Sequence, residues 1–136
     1  MTQVAQAASA EIADRTSEIA TLNDAARAGT LATSRTVFTR ALAEILAGED
    51  EDAGTRRLNL MMGQRALRRL LNETPIDPEN DPHGERDFGV VEYQGHKIFW
   101  KVDVYANDGT FHWGSETPWD AALSFRVVTI MLASDW

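Results

Sequence analysis

There is no cysteine among the 136 residues. That absence excludes disulfides, thiolate zinc sites and cysteine nucleophiles together, and a reducing cytoplasm fits it. Long hydrophobic runs are missing as well. No segment approaches the ~18 apolar residues that a membrane span needs, so no membrane partner is expected. The N-terminal stretch MTQVAQAASAEIADRTSEIA has neither the basic start nor the apolar run of a secretion signal, and a cytoplasmic location is the expectation. Positive charge is scarce: 13 Lys and Arg stand against 21 Asp and Glu, a net charge of −8. The imbalance is uneven, with nine Arg and ten acids in residues 1–73, but four basic residues and eleven acids in 74–136. Such a surface favours solubility and disfavours non-specific contact with nucleic acid, whose phosphates need a positive patch. Glycine-rich phosphate loops, nucleophile elbows, internal repeats and low-complexity tracts are all absent. No cofactor is expected.

What is present suits one domain over residues 1–136. Its hydrophobic content of 43% and charged content of 25% are ordinary for a globular protein with its own core. Within it, 1–28 reads as an N-terminal helix, partly detached, and 30–136 as an α+β core. The helix follows from Val4, Ala8, Ile12, Ile19, Leu22 and Ala26 at spacings of three or four, with Arg15 interrupting the stripe. Glu11 and Arg15 stand at i,i+4, and Gly29 is a natural stop. A narrow alanine-rich seam fits its own domain or the same helix of a second subunit, so a homodimer through this helix is an expectation.

Thr36 to Thr39 form a β-branched and aromatic cluster that favours a strand. ALAEILAG after it reads as a short helix ended by Gly48, and a single helix over 32–47 is the competing reading. The acidic run Glu49 to Asp52 supplies negative charge at the start of the next helix, expected over Thr55 to Leu71. There Leu60, Leu67 and Leu71 share one face, while Leu58 and Met62 lie on another beside Arg65 and Arg69. Five arginines fall between Arg56 and Arg69. They suit a phosphate-binding patch, or stems that cover apolar surface while their heads stay wet.

Beyond Pro75 the pattern changes to strands. DFGVVEY and HKIFWKVDVY flank Gln94-Gly95, a two-residue hairpin connection. The implied register sets Tyr93 opposite His96, Val91 opposite Ile98 and Gly89 opposite Trp100, whose indole then occupies the space left by the glycine. Val91, Ile98, Trp100, Val102 and Val104 make a core face. Phe88, Val90, Glu92, Lys97, Phe99, Lys101, Asp103 and Tyr105 make a mixed one, with Glu92 and Lys97 expected to form an ion pair. Asn107-Asp108-Gly109 is a turn signal, FHWGS is expected to pair briefly with the preceding strand, and GSETPWDAA is an irregular link. SFRVVTIMLA, apolar on both faces, belongs inside the sheet. The expected architecture is α+β: N-terminal helices packed on a mostly antiparallel C-terminal β-meander of about three to four strands.

NDPHGERDFG, IFWKVDVY, GSETP and RVVTIMLASDW together resemble a family of small bacterial domains of unknown function, with an NDP-x-GE-x-DFG loop, a WK-x-D strand and an RV-x-TIML strand. LNDAARAG and TVFTRAL look like its N-terminal half, so the resemblance spans residues 20–136. It implies an alphaproteobacterial setting on plasmids and other mobile elements, supports the strand reading of TVFTRA, and implies no activity. Arg86 and Trp136 depart from it, standing where the pattern leads one to expect His and Tyr.

The loop and the adjoining strand offer Asp81, Glu85, Asp87 and Lys101 as a catalytic set. The three acids are the only metal ligands to consider where no metal is otherwise expected. Against that, Phe99 occupies the place two residues before Lys101 where nucleases carry an acid. Lys101 and Asp103 also face away from Asp87 in the hairpin register. Turn chemistry explains much of the loop, since Asp and Asn accept local backbone bonds, Pro82 fixes φ and Gly84 permits a positive one. Asp87 is expected to brace Arg126, which leaves Asp81, His83 and Glu85 without a structural task. His83, His96 and His112 lack zinc spacing. Trp100 is a packing residue, and Trp113 and Trp119 are groove candidates. With His83, Asp103 and Arg126 these complete the binding candidates.

Two functions remain. One is a non-catalytic protein-interaction or regulatory module associated with mobile elements, with nucleic-acid mimicry as one version and another protein preferred to nucleic acid as partner. The other is a metal-assisted phosphate-ester enzyme, nuclease-like, using the acidic loop.

Overall fold

The computed structural model describes residues 2–136, and their side chains from Ala8 onward. α1 (Thr2–Ala28) leads into β1 (Ser34–Phe38), α2 (Arg40–Ala47) and α3 (Ala53–Glu73). The hairpin β2 (Phe88–Tyr93) and β3 (His96–Ala106) follows, then a long link and β4 (Ser124–Leu132). The chain is α+β, with three helices against a four-stranded open sheet in the order β1-β4-β3-β2. β2, β3 and β4 are antiparallel, and β1 joins the edge of β4 in parallel. Residues 34–47 are therefore strand plus short helix, not one helix. No helix among the described residues is long and apolar enough to cross a membrane.

Local chemistry accounts for most boundaries. Gly29 adopts φ 78° and donates to the Ala26 carbonyl, which ends α1. Asp52 caps α3 by accepting from the Thr55 amide at 2.9 Å, so the helix starts two residues earlier than its apolar period suggests. Gln94 and Gly95 take φ 50° and 80°, the left-handed pair of a type I′ hairpin turn. Gly114 bridges Tyr105, so FHWGS does pair briefly with β3.

The hairpin register is the expected one, including Gly89 opposite Trp100. A Cβ on Gly89 would stand 2.4 Å from the indole nitrogen, so the fit excludes any side chain there. The core joins Ala26, Leu42, Leu67 and Leu71 of the helices to Val91, Ile98, Trp100, Val102, Val128 and Ile130 of the sheet. β4 is central and largely buried.

Among the described residues, α1, α2 and α3 leave the opposite face of the sheet uncovered. Phe88, Phe99 and Trp136 meet edge to face with centroids 5.1 to 5.8 Å apart at one end. Phe111 packs the same way on Tyr105 and Phe125 at the other. Lys101 and Asp103 form a 3.0 Å ion pair between them. The expected Glu92–Lys97 pair does not form, although the two are opposite in register. The exposed Lys97 ammonium instead lies over the Phe99 ring, 5.7 Å from its centroid.

Candidate functional site

The loop before β2 is built from its own backbone outward. Asp77 caps a single 3-10 turn, Pro78–Asn80, by accepting from the Glu79 amide at 3.0 Å. Asp81 then closes the loop twice. Its carbonyl accepts from the Gly84 amide, and its Oδ1 accepts from the Arg86 amide at 2.9 Å. Gly84 adopts φ 73° and Arg86 φ 52°. A left-handed arginine costs about 1 kcal/mol, and the Asp81 bond together with the contacts of its side chain offsets that cost.

Those contacts run to α1. The Arg86 guanidinium forks onto Asp24, with Nε 3.0 Å from both carboxylate oxygens and Nη2 2.7 Å from Oδ2. This fork holds the guanidinium proton more firmly than usual, against a modest desolvation cost. Asp24 also accepts from Arg27, whose guanidinium stacks over Trp100 at 4.7 Å. Burial lowers the Arg27 pKa, with Asp24 pulling the other way and Arg86 adding to the fall.

One residue earlier, Asn23 is fully buried. Its amide donates to the Glu85 carbonyl at 2.9 Å, and its Oδ1 accepts from the Arg126 Nε at 2.8 Å. Arg126 reaches this position from the helix-covered face of β4 and also donates to the Pro118 carbonyl. It is completely buried, and one of its terminal nitrogens has no partner. Burial brings its pKa down to about 10, opposed by the charge of Glu85. The expected bond from Asp87 to Arg126 is absent. Asp87 contributes its carbonyl to the Val102 amide, and a neutral amide from α1 fills the place the carboxylate was expected to take.

A cleft of about 490 Å³ lies where the ends of α1 and α3 meet the loop, lined by Asp24, Arg27, Asn72, Ile76, Asp81 and Arg86. Asp24 pairs with both Arg27 and Arg86 across it, while Arg27 Nε and Nη1 are buried without a hydrogen-bond partner among the described residues. Asp81, Glu85 and Asp87 do not converge: among the described residues no three His, Asp or Glu side chains are placed to hold a metal ion. Lys101 and Asp103 lie on the uncovered face of the sheet, apart from the α1 cluster. His83 is exposed. Trp113 is 71% exposed on its turn, while Trp119 is half-buried under the Arg15 guanidinium, 4.1 Å from the ring centroid.

The residues that organise this region, Asn23, Asp24 and Arg27, are ones that sequence reasoning missed. A signal existed. Asn23 lies within the apolar stripe of α1, four residues after Ile19 and three before Ala26, and a polar group there needs a buried partner. Arg126, a lone charge in an apolar strand, is the matching half.

A family model described as a protein of unknown function (DUF3768) matches residues 38–135. The chain belongs to that family. The match begins at the last residue of β1, not at residue 20, so the α1 half of the network lies outside the DUF3768 span. No curated protein and no solved structure matches the chain.

Proposed function

We propose that the protein is a non-catalytic interaction or regulatory module that acts on another protein, in the mobile-element setting that the family resemblance implies. One observation carries this reading: the Asp81 and Arg86 side chains and the Glu85 carbonyl of the NDPHGERDFG loop are spent on internal bracing. Asp81 holds the Arg86 amide, Arg86 holds Asp24, and the Glu85 carbonyl holds Asn23. Catalytic acids need a free lone pair aimed at a shared point. Here the acids are either occupied or divergent, and Lys101 is paired on the uncovered face of the sheet. Exposed apolar side chains, by contrast, remain unpartnered on α3 and at Trp113.

The test pairs two measurements. Calorimetric titration with magnesium or manganese, and hydrolysis of a model phosphodiester, are run on the wild type and on Glu85→Gln. No metal binding at millimolar concentration and no turnover above buffer is the expected result. Turnover that Glu85→Gln abolishes would sink the module reading in favour of a phosphate-ester enzyme.

A further inference from the structure

Resting on that interaction reading, we infer that the outward face of α3 is the docking surface, and that its occupant is a short acidic amphipathic helix of a partner protein. α3 has two apolar faces. Leu67 and Leu71 are buried against the core. On the other side Leu58, Met61, Met62, Arg65 and Arg69 fall within a sector about 100° wide, counted at 100° per residue. Leu58, Met61 and Met62 are 56%, 60% and 62% exposed, which makes a contiguous ridge instead of scattered single residues. Methionine is unbranched and polarisable, and adapts to the side chains of an opposing helix.

Shallow grooves flank the ridge. One, of about 490 Å³, is floored by Ala66, Leu70 and Tyr93 beside Met62. The other, of about 260 Å³, runs between Met61 and Phe38. Arg65 borders both.

Charge selects the occupant. α3 carries five arginines and one acid, Glu73, in a chain of net charge −8. Arg69 is paired with Glu73 and Arg68 reaches the Thr36 hydroxyl. Arg57 and Arg65 have no ion pair or hydrogen bond among the described residues and are open to carboxylates, which the guanidinium fork suits. The stripe is also short, about 17 Å from Leu58 to Arg69 at 1.5 Å per residue. Glu49 to Asp52 lie before it and Glu73 ends it. A bilayer or a nucleic-acid duplex extends past the stripe and meets those acids, whereas a helix of three turns stays within it. Two-fold pairing of α3 with its own copy would bring two arginine-rich stripes together without adding the acids to offset them.

The test uses the full chain and a labelled synthetic helical peptide of ~12 residues, about three turns, leucines on one face and glutamates on the other, followed by fluorescence anisotropy. The comparison probes are a peptide of the same composition without an apolar face, a single-stranded oligonucleotide and anionic phospholipid vesicles. Saturable binding at about micromolar concentration is expected, weaker by about tenfold for the scrambled peptide and falling with added salt. Met62→Glu and Arg65→Glu each weaken it by about tenfold without changing the thermal melt, because both side chains are exposed. The assignment is overturned by equal binding of both peptides, by indifference to the two substitutions, or by tighter binding of oligonucleotide or vesicles. Self-association through α3 in sedimentation overturns it as well. Peptide failure combined with a specific protein cross-linked through the uncovered sheet face removes only the α3 assignment and leaves the interaction module standing.

Discussion

Gly89 and Asn23 show how little a residue's type says until its neighbour is known. Gly89 is small because Trp100 lies across the hairpin from it. Gly89→Ala forces the indole or the strand to move, and urea denaturation should show a loss of about 2 kcal/mol, in the range of overpacked cores. In a Trp100→Leu background the same substitution should cost much less, because the clashing atoms are gone. Asn23 is the only described side chain that accepts a hydrogen bond from the buried Arg126. Asn23→Leu strands that cation and the Glu85 carbonyl, at a cost of about 3 kcal/mol. Adding Arg126→Met should restore at least about 1 kcal/mol of it, since an apolar pair leaves no unpaired charge. A double-mutant cycle that is strictly additive would contradict the bond. Gly89 and Trp100 were legible in the sequence because a two-residue turn fixes register. Asn23 and Arg126 were not, because they lie 103 positions apart and no local pattern links them.

Elements followed sequence where local rules decide them. Strand alternation, the Gln94-Gly95 turn and glycine stops set β2, β3 and the ends of α1 and α2. The parallel pairing of β1 with β4 was not foreseen, because it depends on how distant segments dock and not on either strand's own composition. α3 illustrates a capping contribution with a pH signature. The Thr55 hydroxyl and amide hold the Asp52 carboxyl below its ordinary pKa. A depressed carboxylate contributes stability that is complete above its unfolded-state pKa and lost as pH falls through the lower, folded value. Asp52→Ala should therefore melt at a lower temperature than the wild type at neutral pH. The two melts should converge on acidification below the ordinary carboxylate range, as followed by circular dichroism.

Across the whole molecule α1 has two unlike halves. Residues 8–15 are exposed, whereas Ile19, Ala20, Asn23 and Ala26 are buried against sheet and loop. Deleting residues 1–10 should leave the unfolding free energy within about 0.5 kcal/mol of wild type. Deleting through Ala28 exposes Trp100 and Arg126 together and should abolish the cooperative transition. A homodimer through the first half of α1 predicts the reverse for the short deletion, which would then lower stability and the sedimentation coefficient. Arg86 acquires its meaning at this scale. Its partner Asp24 lies in α1, ahead of the matched family span. That fork binds the loop to the first helix.

The placement of β4 has a consequence for synthesis. It is the last of the four strands to be made, yet it lies second in the sheet, with β1 on one side and β3 on the other. Until it leaves the ribosome, the β2–β3 hairpin and β1 have no common partner, and the apolar undersides of α2 and α3 have only half a sheet to cover. Folding during translation is therefore postponed to a single late closing step, and a chain stalled before Ser124 offers its unpaired strand edges to chaperones and to other nascent chains.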